Sequence, residues 1–318
     1  MRVAVVDIGT NSTRLLIADV QRASGALHEL VRRSQVTRLG DGVDASGSLS
    51  DIAIDRVSST LGEYRREIDR HECQANLAVL TSAVRDADNG AEFATRVRED
   101  HGLDARVLSG EQEAQLTFLG AMSGRERERA VSDPAGDDDG ATVVIDVGGG
   151  STEFVLGSGH TAGFHVSLQA GVVRMSERHI HADPPTPHEL QDLAADVRQI
   201  FRDGLPAQER KRVTRGIAVA GTATSAASID QELDPYDPAR VDGYELQLGT
   251  IELLLARLAD MTEDKRRQVV GLHPDRAPTI VAGMIVLAEA LRAFALEHVE
   301  VSEHDILHGG ALRLAGVG

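Results

Sequence analysis

The sequence predicts an α/β protein made of two similar halves, and three observations carry that prediction. First, one grammar occurs twice. Val3 to Val6 run into Asp7, Gly9, Thr10, Asn11 and Ser12, and far downstream Val143, Val144 and Ile145 run into Asp146, Gly148, Gly149, Gly150, Ser151, Thr152 and Glu153. A β-branched run reads as a buried strand, and glycines after it let the backbone turn sharply and approach a ligand, with consecutive N–H groups forming an anion nest. Second, short apolar runs alternate with stretches of helical periodicity, the pattern of a parallel or mixed sheet flanked by helices. Third, 318 residues with 42% hydrophobic content suffice for a sizeable core and two domains.

Taken in order, residues 2–20 read as strand, turn and strand. Residues 27–39 form another strand, ending at Gly40-Asp41-Gly42. Ser50 is a good N-cap for a helix to about Arg70, with Ile52, Val57, Leu61, Tyr64 and Ile68 at helical spacing. An apolar strand at 77–84 leads into Arg85, Asn89-Gly90 opens a helix to about Asp100, a strand follows at 105–108, and a helix spans about Glu111 to Met122. The stretch Gly124 to Gly140 is charged, then acidic and turn-rich, and reads as an exposed loop. The domain boundary is placed at about residue 120, giving domains 1–120 and 121–318, with the final helix, from about Glu303, packing back on the first. The second half opens with strand, glycine turn and strand at 142–156 and a strand near 160–168. Helices follow at 171–180 and 187–203. The strand GIAVAG (216–221) enters a third phosphate-sized turn, Thr222-Ala223-Thr224-Ser225. Helices at 249–259, 263–270 and 276–296 come next, Pro278 falling in the first turn of the last, where a missing N–H is harmless. The strand VEVS precedes the final helix.

Composition excludes several function classes. Aromatic residues make up 3% and Trp is absent, so base-stacking platforms for single strands are not expected. A net charge of −17 argues against nucleic-acid and anionic-membrane partners. Positive charge is arginine, since lysine occurs only at Lys211 and Lys265. One cysteine, Cys73, forms no intramolecular disulfide or thiolate metal cluster and reads as structural. No apolar run is long enough to span a membrane and the N-terminus is a strand, so a soluble cytoplasmic protein is expected.

Four features could do chemistry together. The first turn offers hydroxyls and a freed backbone to phosphate and an acid to a cation. The second, with acids at both ends, suits Mg²⁺, which takes oxygen ligands and bridges phosphates. SGEQEAQL at 109–116 starts a helix with Glu111 and Glu113 near its N-terminus. Arg85 matches phosphate bidentately. Each alone admits a plainer reading: a tight turn, first-turn helix charges, a surface ion pair. The His179-Ile180-His181 and Glu303-His304 runs lack a convincing third metal ligand and read as exposed histidines. Ile280, Met284, Leu287 and Leu291 form an apolar stripe that belongs to a core or a dimer contact, the core being favoured.

Here the chain resembles the exopolyphosphatase/guanosine pentaphosphate phosphohydrolase family of the actin-like, sugar-kinase-like superfamily. The residues that carry the resemblance are DIGTNSTRLLIAD at 7–19, RLGDGVDASGSLS at 38–50, TSAVRDADN at 81–89, SGEQEA at 109–114, VIDVGGGSTEF at 144–154, LQAGVVRMSE at 168–177, VAGTATSAA at 219–227 and RAPTIVAG at 276–283. They fall in family order across essentially the whole chain. The resemblance implies two ribonuclease-H-like (actin-like ATPase) domains, each a mixed β-sheet with flanking helices, and an active site in the interdomain cleft. It implies Glu113 as the catalytic carboxylate that orients or deprotonates water, and Asp146 and Glu153 as the acids beside Mg²⁺, with Mn²⁺ as a substitute. Phosphate contacts are implied for Asp7, Gly9, Thr10, Asn11, Ser12, Arg85, Gly148, Gly149, Gly150, Ser151 and Thr152; Gly221 and Thr222, grouped with them, match the loop that binds the adenosine region in the superfamily's ATPases. The expected partner is inorganic polyphosphate or guanosine pentaphosphate, the latter tied to the stringent response. The family also admits a homodimer, for which no residue pattern speaks.

The departures from the family pattern are specific. Its usual paired glutamates read Gln112-Glu113, the arginine after the alanine is Gln115, and Leu-Arg-Glu-Gly reads Leu307-His308-Gly309-Gly310. Longer relatives continue into a further helical domain that holds long polymer. With little basic excess beyond Arg32, Arg33, Arg38, Arg65, Arg66 and Arg70, short chains are the expected substrates. Two other classes are weighed against hydrolysis. A kinase of the same superfamily would place an aspartate after the second turn, and a nucleotide-gated filament protein would need only the shared phosphate turns.

Overall fold

The computed structural model describes residues 1–123, 140–158 and 161–317, and the loop expected at 124–140 lies outside them but for Gly140. The chain divides into two compact units, one formed by residues 1–130 with 304–318, the other by 131–303.

In the first unit, β1 (Arg2–Ile8), β2 (Ser12–Val20), β3 (Leu27–Val36), β4 (Ala75–Leu80) and β5 (Ala105–Val107) form a sheet ordered β3-β2-β1-β4-β5. β1 to β3 run antiparallel, whereas β4 and β5 run parallel to β1. The β1 run is continuous rather than alternating because both of its faces are buried. Ala4, Val6 and Ile8 pack with Val57, Leu61 and Tyr64 of the helix Asp51–Arg70, and with Phe93 and Val97 of the helix Gly90–His101. Val3 and Val5 point the other way, onto Leu307, Ala311 and Leu312 of the C-terminal helix Ile306–Ala315.

The second unit repeats this order. β6 (Ala141–Val147), β7 (Thr152–Ser158), β8 (Thr161–Leu168), β9 (Val213–Val219) and β11 (His298–Val301) occupy the positions of β1 to β5, and β10 (Glu245–Gln247) adds an edge, giving β10-β11-β9-β6-β7-β8. Again the first three strands are antiparallel and the next two run parallel to the first. Ile280, Met284, Leu287 and Leu291 of the helix Ile280–Ala293 are core residues. Among the described residues no helix is long and apolar enough to cross a membrane.

Several boundaries differ from those expected, each for a local reason. The strand expected at 77–84 stops at Leu80, because the Thr81 carbonyl accepts from Val84 and Arg85 N–H at 3.1 and 3.0 Å and starts the helix Ser82–Asp86. Arg85 therefore sits on a helix. β3 ends at Val36, since the next two N–H groups, of Thr37 and Arg38, turn to the Asn11 carbonyl. GIAVAG leaves the sheet at Val219: Ala220 takes a left-handed φ of 64° and opens the helix Ala220–Asp230, so Gly221 and Thr222 lie in a helical first turn. The helix expected at 263–270 is only Glu263–Arg266, with Gly271 at φ 84° beyond it. The next begins at Ile280, leaving Pro278 before it. The last starts at Ile306 because Asp305 caps it, accepting the Leu307 N–H at 3.0 Å.

The helix Gly110–Ser123 crosses the C-terminal helix at two glycines. A Cβ at Gly120 would lie 1.8 Å from the Asp305 carbonyl oxygen, and one at Gly309 would lie 1.8 Å from that of Leu116. Backbone has nowhere to retreat in such a contact. Gly309→Ala is therefore expected to destabilise the fold by about 1–3 kcal/mol or more, the range for overpacking, read as a lower urea midpoint; an unchanged midpoint would contradict the crossing.

Candidate active site

The two acid–glycine turns have the same construction. Gly9 N–H donates to the Ser12 carbonyl at 3.0 Å, and Gly148 N–H to that of Ser151 at 3.0 Å. A Cβ would stand 3.1 and 3.0 Å from those same oxygens, and neither glycine has a positive φ. Glycine is needed here for close approach, not for left-handed backbone.

The hairpins also share a register, and it distinguishes them chemically. Asp7 lies directly opposite Arg14, whereas Asp146 lies directly opposite Glu153. The Arg14 guanidinium donates to Asp7 Oδ2 from Nε at 2.9 Å and Nη2 at 2.6 Å, and from Nη1 to Asp305. Burial raises the Asp7 pKa and Arg14 opposes it. Asp305 is equally buried, yet Arg14, His308 and Arg32 outweigh burial and hold its carboxyl well below the usual range. Asp7 is thus committed to an arginine rather than presented to phosphate. Thr10 is likewise turned inward, its Oγ1 3.0 Å from Ser82 Oγ. Asn11 and Ser12 remain half-buried at the turn, whose Thr10 carbonyl accepts from Gly40 N–H at 2.9 Å.

In the second turn the Ser151 hydroxyl donates to Glu153 Oε1, as does Ser167 at 2.7 Å, while Thr152 Oγ1 donates to the Ala170 carbonyl at 2.8 Å. With its hydroxyls turned to the protein, this turn offers an anion its backbone N–H groups. The Gly221-Thr222 turn is covered instead, with Arg276 lying against Gly221 so closely that a Cβ there would be 1.6 Å from Nη1.

Glu113 and Arg85 meet. Arg85 Nη1 donates to Glu113 Oε2 at 2.7 Å and to the Leu108 carbonyl at 3.2 Å. Glu113 is only 7% exposed, and burial pushes its pKa to about 7, against the pull of Arg85 and with help from the negative charges of Asp7 and Asp86. The two departures beside it have structural uses. Gln112 and Ser109 cap the helix start reciprocally, at 3.0 and 3.2 Å, and Gln115 lies on the exposed side with Glu111, its amide 3.5 Å from Oε1. Sequence reasoning missed Arg14, Asp305 and Arg174. Asp305 had a legible signal, an N-cap residue before an apolar helical run; Arg14 and Arg174 could be found only through strand register and loop closure.

The profile of the Ppx/GppA phosphatase family matches residues 16–315. The chain is 36% identical to a Mycobacterium tuberculosis protein named exopolyphosphatase 2, with 99% of each chain aligned. The chain belongs to the Ppx/GppA phosphatase family. Solved structures agree: the Aquifex aeolicus member superposes with a TM-score of 0.80 at 30% identity, covering 99% of this chain and 97% of that one. An exopolyphosphatase from Cytophaga hutchinsonii gives 0.84 at 27% identity, covering 100% and 99%. As a member of this family the chain is a phosphoanhydride hydrolase.

For a Ppx/GppA phosphatase the expected metal ligands can be tested on register. Opposed residues on antiparallel strands have Cβ atoms about 5 Å apart on one face. Asp146 and Glu153 therefore bring two buried carboxylates together, and Glu153 Oε2 lies beside Gly148, 3.8 Å from where a Cβ would be. Such oxygen donors fit Mg²⁺; the arginine-paired acid of the first turn does not. A different trio, Glu29, His304 and His308, has ligand atoms within 4.8 Å of one another, and His304 is half-buried rather than exposed. Its imidazoles, however, stack at 4.3 Å and 13°. A metal lies near each ring's plane at about 2.0–2.1 Å from nitrogen, and two almost parallel planes share no such point. His308 instead bonds Glu29 through Nε2 at 2.8 Å, with its Nδ1 3.7 Å from Asp305 Oδ1.

Folded Glu113 retains its proton to about pH 7, above the unfolded value of 4.5. Its contribution to stability is thus fully present below pH 4.5 and lost as pH rises through about 7. A carbon-detected NMR titration is expected to place the carboxyl midpoint near 7, and Arg85→Gln to move it higher by removing the cation that favours the ionised form. A midpoint that falls in Arg85→Gln would contradict the pairing.

Proposed function

We propose that this chain is an exopolyphosphatase that, with Mg²⁺, releases terminal orthophosphate from inorganic polyphosphate and favours short chains. The observation that carries the reading is Glu113: a buried carboxylate with a pKa of about 7, raised in part by the charge of Asp7 at the first turn. A buried carboxylate that titrates near neutral pH and feels the charge of Asp7 supports the reading of Glu113 as the base that takes a proton from water. Glu113 orients the water, and Arg85 holds the carboxylate in place. The amides of the second turn are of the kind that bind phosphoryl oxygens. Mg²⁺ held by Asp146 and Glu153 would offset charge on the phosphate. Such hydrolysis is chiefly positioning and electrostatics.

The preference for short chains is supported by what the arginines do. Arg65 pairs with Asp69, Arg70 with Glu67, and Arg32 with Glu29 and Asp305. On a chain of net charge −17, these three arginines are engaged by the chain's own acids rather than arrayed for a long polyanion.

Phosphate release is measured from tripolyphosphate, long polyphosphate and guanosine pentaphosphate, with and without Mg²⁺, and with ATP plus candidate acceptors as the kinase control. The expected result is Mg²⁺-dependent release with the highest kcat/KM on short polyphosphate. A higher value on guanosine pentaphosphate makes that nucleotide the substrate, and no release from any of them defeats the reading. Glu113→Gln is expected to lower kcat by about 10²–10⁴-fold, the usual range for a general base, with KM little changed. Asp146→Asn is expected to raise the Mg²⁺ concentration for half-maximal rate; an unchanged requirement would remove Asp146 from the metal site.

A further inference from the structure

The second turn is held by its carbonyls. Gly148 O accepts from Val172 N–H at 2.9 Å, and Gly149 O from Val173 and Arg174 N–H at 2.9 and 3.3 Å. Gly150 O accepts from Gly171 N–H at 3.2 Å and from Arg174 Nε at 2.8 Å. These donors are the start of the helix Val172–His179 and the residue before it. The approach is close enough that a Cβ at Gly171 would lie 2.3 Å from Gly149 O.

A trans peptide points its carbonyl and its N–H in opposite directions. Three successive carbonyls drawn to one helix start therefore turn three successive N–H groups, of Gly149, Gly150 and Ser151, away from it. Among the described residues these N–H groups have no hydrogen-bond acceptor. Successive free N–H groups in a turn are what an anion nest is made of. Hydrogen bonding to a peptide's carbonyl strengthens its N–H as a donor, and a charged partner does so more than a neutral one. The first turn provides the contrast: its Thr10 and Asn11 carbonyls accept from the backbone N–H groups of Gly40, Thr37 and Arg38. In the second, the Gly150–Ser151 peptide carries a guanidinium. That guanidinium is half-buried, where burial, then Arg178, lowers its pKa from a value so high that it stays charged.

We propose that Arg174 is a positioning residue that sets the phosphate affinity of the second turn by polarising the Gly150–Ser151 peptide from its carbonyl side. The inference rests on reading that turn as the phosphate cradle and goes beyond it by naming the side chain that tunes it.

The test compares Arg174→Gln, whose amide can still donate to Gly150 O without charge, with Arg174→Lys, which keeps the charge. Binding of inorganic phosphate in the presence of Mg²⁺ is measured by calorimetry, KM and kcat with tripolyphosphate, and folding by thermal melting. Arg174→Gln is expected to weaken phosphate binding and raise KM by about 5- to 10-fold, the difference between a charged and a neutral donor, with kcat changed less than about 3-fold. Arg174→Lys is expected to stay within about 3-fold of the parent in phosphate affinity. Unchanged phosphate affinity in a folded Gln variant, or equal losses in both variants, overturns the proposal. If the Gln variant does not fold, a loss of about tenfold or more in the folded Lys variant overturns it alone. A parent protein that binds phosphate but hydrolyses none of the substrates defeats the hydrolase reading and leaves this comparison decisive.

Discussion

Two antiparallel hairpins each set one residue opposite the acid that ends their first strand, and much of the chemistry follows from which residue that is. Opposite Asp7 stands Arg14; opposite Asp146 stands Glu153. The turns between share a 3.0 Å closing bond and the same need for a side-chain-free first position. A duplicated frame thus carries two electrostatic outcomes. The first hairpin neutralises its acid internally. The second concentrates acid at a turn whose amides favour anions, a combination that a bound divalent cation would reconcile.

The neutralised half depends on the end of the chain. Arg14 is shared between Asp7 and Asp305, and Asp305 also caps the C-terminal helix whose apolar side covers Val3 and Val5. His308 extends the network to Glu29 on β3. A buried ion pair contributes little net stability, but breaking one partner is costly because it strands the other charge. The network's value here is therefore geometric: it fixes Asp7, the first turn and the terminal helix in one arrangement. The glycines at 120 and 309 allow the helix bearing Glu113 to lie against that same terminal helix.

What was legible in the sequence was whatever has a local signature. Ser50 caps its helix as its position implied, accepting the Ala53 N–H at 3.3 Å, and the repeated strand–turn–strand motif gave the two mixed sheets and the family. Element ends were less legible where tertiary bonds decide them: Thr37 and Arg38 leave β3 for Asn11, and Ala220 adopts a left-handed backbone that alanine does not favour. The site was legible as a set of residue types but not as a set of roles. A hydroxyl in a phosphate-type turn can face ligand or protein, and here Thr10, Ser151 and Thr152 face protein. Arg85 satisfied the pattern for a phosphate ligand and in the structure holds Glu113. No spacing rule separates those outcomes, because each depends on a partner distant in sequence.

The acids of the first unit nevertheless sort themselves by environment. Asp305 is held ionised by Arg14, His308 and Arg32, so it is a poor proton acceptor. Asp7 is raised by burial, but its Oδ2 is already occupied by two N–H groups of Arg14. Asp86 is raised by partial desolvation as well, against the pull of Arg85, but is exposed. Glu113 combines burial, a single close cation and a pKa of about 7. A base with a much lower pKa takes protons weakly, and one with a much higher pKa is already protonated at neutral pH. Burial raises Glu113 and Arg85 restrains the rise, so together they leave the carboxylate near the balance point between those failures. Arg85, which the sequence suggested as a phosphate contact, is in the structure the cation that limits the rise of the Glu113 pKa.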